Sequence, residues 1–338
     1  MFKSVNFIAI CFLGTLISSV SLGQELSLNT NASKDSLNTY FVDVSDSLMV
    51  NARMLMRSYS LNYYHVNSGT NLQVEPTGQV NLGLGFNYKW FGLAYNVGLP
   101  SSAEEVEKYG ETERQDLHIG MYGDFISGSI NLQHYKGFHI SNYQDTNSGN
   151  QIKIPSMKTY NINFSALYFF NHKKFSYKAA YVRNAVQKKS AGSFVAGGYL
   201  TYDISESNVP VGGSGLPDSI ATQFDVLGVW SRTYGVSLGY SHTFVIKKRF
   251  FVNGTLVPGI GAKKLTLNLS EESVDVDAGT AYRLDGNLSL GYEADNWLAG
   301  MSATTSNQIY EIDGLRISPN SSSLKLFVAK RFGIRKRK

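Results

Sequence analysis

The feature that most constrains this chain is an alternation of apolar and small or polar residues that changes phase at a short turn. In QVNLGLGFNYKWFGLAYNVGLP, residues 79–100, the apolar residues are even-numbered up to Tyr88 and odd-numbered from Leu93. Alternation with period two is typical of a β-strand with two different faces. Opposed residues of an antiparallel hairpin lie on the same face, so a four-residue loop at 89–92 requires this change of parity. The stretch therefore predicts a hairpin with one apolar face and one small, polar face.

The same relation between loop length and phase recurs four more times. Predicted loops at 126–129, 171–174 and 293–296 have four residues, and the apolar residues change parity across each of them. The predicted loop at 245–249 has five residues, and there the parity stays even, as the geometry requires. This agreement predicts a series of antiparallel strands that runs along most of the chain.

Further strand signals bring the predicted total to 12–14 strands. We expect 14 if both signals within 187–232 cross the sheet, and 12 if both belong to one long external excursion. Either number is even, as in single-chain barrels with both termini at one end. The predicted connections alternate between short and long, which is the arrangement of periplasmic turns and external loops in outer-membrane barrels. The additional strand signals lie at about 57–66, 193–203, 219–229 and 323–332.

Composition separates a membrane barrel from a soluble β-protein. The chain has 32 Gly, 21 Tyr and 19 Phe, and only 17% of its residues are charged. A soluble sheet would carry Lys, Glu and Arg on its solvated face, whereas the polar face here is mainly Gly, Asn, Ser and Thr. We therefore predict an all-β fold, an antiparallel transmembrane β-barrel of the outer-membrane type, over residues 56–332. Aromatic residues at predicted strand ends would form its interfacial girdle: Trp90, Phe91, Phe170, Phe250 and Trp297.

The two ends of the chain differ from the predicted barrel. Lys3, an apolar run and small residues before the predicted cleavage site indicate a signal peptide over residues 1–23, with a membrane anchor as the alternative. Residues 24–55 lack alternation, and SLMVNARMLM within them predicts a periplasmic leader with a short amphipathic helix. Residues 333–338 form a basic tail. Cys11 lies inside the predicted signal peptide, so we expect neither a disulfide nor a thiolate metal site.

Several segments of the chain resemble one family. They resemble the uncharacterised domain-of-unknown-function family 4421, and the resemblance rests on the runs VNLGLGFNYKWFGL, DLHIGMYGDF, LQHYKGFHISN and FSYKAAYVRNAVQKKSAGSF. The resemblance covers about residues 50–332 and implies an outer-membrane barrel-like fold, with no assigned activity and no catalytic residues. The last predicted strand also resembles that of outer-membrane proteins, whose terminal aromatic residue, Phe332 here, is read by the barrel-assembly machinery. The tail after Phe332 departs from that pattern.

The sharpest enzymatic motif is His139 and Ser141 in FHISN. It resembles the His-x-Ser pair of outer-membrane phospholipases and lipid A deacylases, in which the imidazole takes the proton of the hydroxyl. The even phase that defines the lipid face is shared by Ile130, Leu132, Phe138 and Ile140. His139 and Ser141 are therefore expected on the lumen face, where no acyl chain lies. A bulge at Gly137 would reverse this assignment. A membrane-embedded lipid acyl hydrolase is therefore the alternative to a passive barrel.

Polar residues on the inward phase are candidate lumen residues. Arg283 and Asp285 share the polar face of one predicted strand, which indicates either a charged ring that sets pore selectivity or an ion pair that fills a narrow lumen. Glycines on the inward phase leave space and so favour a conduit over a packed lumen. They include Gly83, Gly85, Gly235 and Gly239. The other lumen candidates are Asn81, Asn131, Gln133, Asn161, Asn163 and Lys178.

The sequence motifs of several other function classes do not occur. The six histidines show no metal-binding spacing, and there is no P-loop, dinucleotide fingerprint or GxSxG motif, so we expect no metal and no cofactor. A net charge of +5 is too small to predict binding of nucleic acid. We expect the protein to be exported to the outer membrane of a Gram-negative cell. We expect its partners to be outer-membrane lipid and, during biogenesis, the barrel-assembly machinery. We expect a channel, a conduit or a structural barrel rather than an enzyme, and the sequence does not identify a substrate or protein partner.

Overall fold

Twelve antiparallel strands form a closed ring in the computed structural model, which describes residues 39–333 except 146–148, 183, 214, 248, 277–278, 295, 308 and 313. Each wall strand pairs with two neighbours, and the last strand pairs with the first along its whole length to close the ring. The wall strands are β2 (Leu48–His65), β4 (Val80–Tyr88), β5 (Phe91–Gly98), β6 (Glu113–Tyr122), β7 (Ile126–Gln144), β8 (Gln151–Phe169), β10 (Ala191–Glu206), β11 (Val226–Ile246), β12 (Phe250–Leu269), β14 (Thr280–Glu293), β15 (Trp297–Asn307) and β17 (Leu315–Phe332).

Shorter elements lie at the two ends of the ring. Because β4, β5 and β6 are shorter than β2 and β7, a short strand, β3 (Thr70–Glu75), fills the gap between β2 and β7 and pairs with both. Ser102 and Glu105 form a capping box at the start of helix α1 (Ala103–Tyr109). The short strands are β1 (Phe41–Asp43), β3 (Thr70–Glu75), β9 (Ala185–Gln187), β13 (Ser273–Val276) and β16 (Tyr310–Ile312). The helices are α1 (Ala103–Tyr109), a π-helix (Lys178–Val182), α2 (Asp218–Ala221) and a 3-10 helix (Thr222–Phe224).

The relation between phase and loop length is confirmed at four of the five predicted hairpins. In the first hairpin Leu84 pairs with Tyr95, and Leu82 pairs with Val97. These side chains are exposed on the outside of the ring, whereas Asn81 on the other phase is fully buried. We call the end that carries the short turns the inner end, and the opposite end the outer end. The turns of the four confirmed hairpins lie at 89–90, 123–125, 247–249 and 294–296.

Large apolar side chains cover the outside of the ring. At mid-height of β11, Val236 is 63% exposed and Leu238 is 66% exposed. A continuous band of exposed apolar side chains around a closed ring is the surface of a barrel that spans a membrane. The structure is therefore an antiparallel transmembrane β-barrel of the outer-membrane type, with twelve strands.

Exposed aromatic residues lie at the inner ends of the wall strands. The predicted girdle residues Trp90, Phe170, Phe250 and Trp297 are among them, with exposed fractions of 41–60%. Phe91 is partly buried, and its ring centroid lies 5.9 Å from that of Trp90. Other exposed aromatic residues at the inner ends of the strands are Tyr88, Phe125, Tyr168, Phe244, Tyr292 and Phe332.

The short helix predicted for SLMVNARMLM is wrong, because the first wall strand begins at Leu48 rather than at residue 56. Both faces of this part of β2 carry apolar residues, which hides the alternation. Met49 and Leu55 point inward and are almost fully buried, whereas Val50 points outward. Residues 1–38, including the predicted signal peptide, lie outside the described residues, as do residues 334–338 of the predicted basic tail.

The predicted strand after the loop at 171–174 is also wrong. Residues 170–190, which we call the inner plug, leave the wall after β8 and contain the π-helix and β9 before the chain returns to the wall as β10. Phe175, Tyr177, Ala179 and Tyr181 alternate in the sequence, but Tyr177 and Tyr181 stack at a centroid distance of 4.5 Å, as residues four apart do on a helix. Lys178, predicted on a strand, therefore lies in the inner plug.

The uncertain segment 187–232 contributes one full strand and the start of another. The signal at 193–203 belongs to β10, which crosses the barrel. The segment 219–229 begins as α2 and a 3-10 helix and then continues into β11. The sequence analysis predicted two separate strands where β11 is one. The total is twelve because residues 175–181 do not cross and because β11 is one strand.

Candidate functional site

The lumen of the barrel is occupied by side chains at its inward glycines. A Cβ atom on Gly83 would collide with the Asn96 amide, and one on Gly85 would collide with the Arg53 guanidinium. A Cβ atom on Gly235 would lie 2.6 Å from the Tyr199 hydroxyl. These glycines make room for large neighbouring side chains rather than for a water-filled path, so the argument that they favour an open conduit does not hold.

A buried carboxylate, Asp116, organises one polar network in the lumen. Its Oδ1 accepts a hydrogen bond from the Tyr135 hydroxyl at 3.1 Å and lies 3.5 Å from the Arg57 guanidinium. Its Oδ2 accepts a hydrogen bond from Asn81 Nδ2 at 3.0 Å. Asp116 is only 4% exposed, and such a charge is stable in the lumen because an opposite charge and two donors satisfy it. Of these residues only Asn81 was predicted as a lumen residue.

A second polar network contains the predicted pair Arg283 and Asp285. Arg283 Nε lies 2.7 Å from Asp285 Oδ2, and its guanidinium is 4.8 Å from the ring centroid of Tyr199. Arg283 also donates to Thr201 Oγ1, which accepts from Asn163 as well. The structure therefore places these two charges in one ion pair and gives Arg283 two further partners, Thr201 and Tyr199.

The remaining lumen candidates on β7 and β8 also have polar neighbours. Asn161 donates to Asp203 on β10. Asn131 Oδ1 lies 2.7 Å from His118 Nδ1, and His118 Nε2 lies 3.1 Å from the Tyr122 hydroxyl. Gln133 lies between Asp116 on β6 and Asn161 on β8 in the sheet register.

The inner plug is held against the inside of the wall by contacts with several strands. Tyr181 donates to Thr255 on β12, and Asn87 on β4 donates to the carbonyl of Val182 at 3.4 Å. Asn184 donates to the carbonyl of Lys89 at 3.1 Å. Because these partners lie around the ring, residues 170–190 extend across the lumen at its inner end.

Lys178 fixes the inner plug electrostatically. Its ammonium lies 3.1 Å from an Asp43 oxygen and 2.8 Å from an Asp124 oxygen. Burial alone would lower the pKa of Lys178, but the two carboxylates outweigh burial and raise that pKa above its ordinary value. The ammonium thus joins the segment before β2, the turn before β7 and the inner plug.

The outer end of the lumen is filled by a hydrophobic core. Residues 207–225, which we call the outer cap, contribute Val211, Leu216 and Phe224, all almost fully buried. They pack against inward side chains of the wall and form one closely packed apolar core at this end. The wall residues of this core are Leu61, Tyr63, Leu72, Val74, Tyr135, Phe138, Ile140, Ile152, Ile154, Met157, Val226, Val229, Leu265, Leu267, Leu315 and Ile317.

The bulge considered at Gly137 is present and changes the face of the residues after it. Gly137 has a φ of +90°, and the register with β8 shifts between Lys136 and Phe138. Phe138 and Ile140 consequently point into the outer hydrophobic core, although the sequence placed them on the lipid face. His139 and Ser141 are therefore not on the lumen phase that the sequence predicted.

His139 and Ser141 have separate partners in the structure. His139 Nδ1 lies 3.4 Å from Thr77 Oγ1, and its ring is 5.0 Å from that of Tyr109 at the end of α1. Ser141 Oγ donates to the main-chain carbonyl of Gln73 at 3.2 Å. The imidazole thus contacts Thr77 and Tyr109, and the described hydrogen bonds do not join it to the serine as a nucleophile and base would be joined.

The described part of the chain has neither a cluster of metal ligands nor a helix suited to span a membrane. No group of three or more His, Cys, Asp or Glu residues there is arranged to hold a metal ion. The helices among these residues are also too short and too polar to serve as transmembrane helices.

Comparison with solved structures gives several barrels of low sequence identity. The outer membrane protease OmpT from Escherichia coli is 8% identical with a TM-score of 0.38, and the match covers 86% of this chain and 98% of that one. The translocator domain of the autotransporter NalP from Neisseria meningitidis is 13% identical with a TM-score of 0.44, covering 94% and 97%. The P. putida toluene transporter TodX is 10% identical with a TM-score of 0.30, covering 86% and 91%. No curated protein matches the chain.

Comparison with family models gives one match. The model described as "Domain of unknown function (DUF4421)" matches residues 33–332, which includes every wall strand of the barrel. The resemblance found in the sequence is confirmed. The chain belongs to the domain-of-unknown-function family 4421.

Proposed function

We propose that this protein is a closed barrel of the outer membrane with a structural role, and that it conducts no ions or solutes at rest. The observation that carries the proposal is the filling of the lumen at two levels. The hydrophobic core that includes the outer cap extends from β7 and β8 to β12 and β17, so it crosses the outer end. The inner plug contacts β4, β12 and β14 and crosses the inner end.

The two seals differ in chemistry. The outer seal is an apolar core, which would have to expose buried aromatic and aliphatic side chains in order to open. The inner seal includes polar contacts, among them the ion pairs of Lys178 with Asp43 and Asp124. Use of the barrel as a conduit therefore requires displacement of both segments, and the inner plug is the easier one to displace.

Planar lipid bilayers test the proposal with four proteins. They are the wild type, a variant with residues 175–187 replaced by a short Gly-Ser linker, a variant with residues 208–223 replaced in the same way, and the double variant. We expect the wild type and both single variants to be silent, since each keeps at least one seal, and the double variant to give discrete conductance steps. Heat-modifiable migration on a gel shows that each variant is a folded barrel.

Two results would contradict the proposal. Discrete steps from the wild type would show a lumen that is open at rest. Steps from a single variant would show that the remaining segment does not seal the barrel, and would identify the segment that does.

We propose that the barrel lies in the outer membrane and is assembled there by the barrel-assembly machinery. The exposed apolar band and the aromatic residues at its inner end support insertion into the outer-membrane bilayer. Lys3 and the apolar run after it support export by a signal peptide. The barrel-assembly machinery is the proposed partner during biogenesis. Fractionation of cells that express the full chain tests this part: we expect the protein in the outer membrane, and recovery from the soluble periplasm would contradict it.

A further inference from the structure

Two pairs of lysines lie at the inner end of the barrel, where the chain leaves the wall after β8 and returns to it as β10. Lys173 and Lys174 follow the end of β8, and Lys188 and Lys189 precede the start of β10. All four residues are exposed. We call them the lysine cluster. The inner plug contains one pair near its beginning and the other near its end, so its fold brings four positive charges to one edge of the barrel.

Tyr40 and Gln187 hold the two pairs side by side. The ammonium groups of Lys174 and Lys189 each lie 5.4 Å from the centroid of the Tyr40 ring. The side-chain amide of Gln187 donates to the carbonyl of Lys174 at 2.7 Å and to that of Lys189 at 3.0 Å. Because Gln187 is only 6% exposed, these hydrogen bonds are shielded from water and fix the two backbone segments next to each other.

The positive charge of the lysine cluster is not balanced within the fold. Among the described residues, no ion pair includes Lys174, Lys188 or Lys189. The carboxylates that contact the inner plug, Asp43 and Asp124, are bound by the Lys178 ammonium instead. Like charges held close together repel, so an anion that binds among these lysines would offset their repulsion.

The lysine cluster also lies at the edge of the lipid-facing surface. Phe170 and Phe194 are 60% and 69% exposed on the outside of the wall, and the N–H of Phe170 donates to the carbonyl of Phe194 at 3.1 Å. Lys174 and Lys189 are within five residues of these rings along the chain, on the side of the inner end. Lysines just beyond an aromatic boundary place their ammonium groups at the level of lipid head groups.

We propose that the lysine cluster binds an anionic phospholipid of the inner leaflet. This inference rests on the proposed place of the barrel in the outer membrane. Lys174 and Lys189 bind the lipid phosphate through charge-assisted hydrogen bonds, and the acyl chains lie along the rings of Phe170 and Phe194. A head group with a net negative charge is preferred over a zwitterionic one, because the cluster would repel the ammonium group of a zwitterionic head group.

Native mass spectrometry of the full chain in detergent micelles, titrated with phosphatidylglycerol or phosphatidylcholine of the same acyl chains, tests the proposal. We expect one phosphatidylglycerol to bind about fivefold or more tightly than phosphatidylcholine, because only the first has a net negative charge. The double variant Lys174→Gln and Lys189→Gln should weaken the binding of phosphatidylglycerol about tenfold, since it removes both ammonium groups from the phosphate.

The matched control removes two other lysines from the inner end. Lys89 and Lys330 each lie over an aromatic ring, as Lys174 and Lys189 do, but they belong to the turn after β4 and to β17. The double variant Lys89→Gln and Lys330→Gln should bind phosphatidylglycerol nearly as the wild type does. Lys174→Arg with Lys189→Arg keeps both charges and should keep most of the binding. Heat-modifiable migration shows that each variant is folded.

Three results would overturn the proposal. Equal binding of the two lipids by the wild type would show no preference for a negative head group. An equal loss in the Lys174 and Lys189 variant and in the matched control would show that the total charge of the inner end attracts lipid without a site. Displacement of the bound lipid by soluble glycerol phosphate would show that the cluster takes a free phosphate. Fractionation and conductance test the location and the closed lumen separately, so a failure of the lipid site is distinguishable from a failure of the proposed function.

Discussion

At the residue scale, the inward glycines of this barrel are places where a large side chain from a neighbouring strand crosses the strand surface. Tyr199 lies against Gly235, and Arg53 lies against Gly85. The sequence shows the glycines but not the side chains that cover them, because the covering residue comes from another strand. An alternation of glycine with asparagine is therefore compatible with an open or a filled lumen.

Gly235→Ala should destabilise the barrel by about 1–3 kcal/mol, because the new methyl group would collide with the Ile260 carbonyl and the Tyr199 hydroxyl. Gly254→Ala is the matched control on the neighbouring strand, since nothing lies within 4 Å of its added Cβ. The control should change the free energy of unfolding by less than about 1 kcal/mol. Urea titration in lipid vesicles measures both values. Equal effects of the two substitutions would contradict the filled lumen at Gly235.

Asp116→Ala should lower the free energy of unfolding by about 3 kcal/mol, because it leaves Arg57, Tyr135 and Asn81 without their shared acceptor inside the lumen. Glu113→Ala is the control on the same strand, since Glu113 and Lys136 form an exposed ion pair and such pairs contribute little. The same urea titration compares them. A loss for Asp116→Ala no larger than that for Glu113→Ala would show that the network is not stabilising.

The position of Asp116 could have been found from the sequence, whereas its partners could not. Its even number gives it the phase of His118, so extending the alternation of β6 back by two residues predicts that it points inward. Arg57 follows from β2 in the same way once the strand is extended. That the two side chains meet depends on the closed ring and on the small residues beside them, which no local pattern contains.

At the element scale, the sequence predicted those strands in which one face is apolar and the other is small and polar. β4 and β11 are such strands, and their exposed and buried residues alternate as predicted. The first half of β2 was not predicted as a strand, because Met49 and Leu55 pack inside the barrel while the outward residues face lipid, so both faces are apolar. The inner plug was mistaken for a strand because a short aromatic run can satisfy the period of a strand and that of a helix.

The inner plug should depend on the ion pairs of Lys178. Lys178→Met should raise the rate of amide hydrogen exchange in residues 175–182 at neutral pH, because it removes the ammonium that holds Asp43 and Asp124. Lys188→Met, an exposed control in the same segment, should leave these rates unchanged. Mass spectrometry of exchanged peptides measures the effect. Wild-type exchange rates in Lys178→Met would show that other contacts hold the plug.

The pH dependence of the plug has a definite sign. The pKa of Lys178 is raised in the folded protein, so its stabilising contribution is complete below the ordinary lysine value of 10.5 and is lost only as the pH rises through the higher folded value. Protection of residues 175–182 that depends on Lys178 should therefore persist from pH 7 to pH 9. A loss of that protection within this range, seen in the wild type and not in Lys178→Met, would contradict the assigned shift.

At the scale of the whole molecule, closure of the ring depends on the pairing of β17 with β2, which joins the two ends of the barrel. The sequence predicted an even strand number and a closed wall, because lipid does not tolerate free sheet edges. It did not predict the inner plug or the outer cap, the two segments that we propose to seal the lumen. Only the packing inside the ring reveals where these two segments lie.

Phe332 is expected to matter for assembly more than for stability. It is the last residue of β17, pairs with Leu48 at the inner end and is 46% exposed on the lipid side. If the assembly machinery reads the terminal aromatic residue, Phe332→Ala should lower the fraction of heat-modifiable protein in outer membranes while the same chain still refolds in detergent. Val328→Ala, on the same strand and face and 49% exposed, should assemble as the wild type does. A parallel loss of assembly in both variants, or of refolding in Phe332→Ala, would mean that Phe332 acts through the lipid-facing packing of the seam alone.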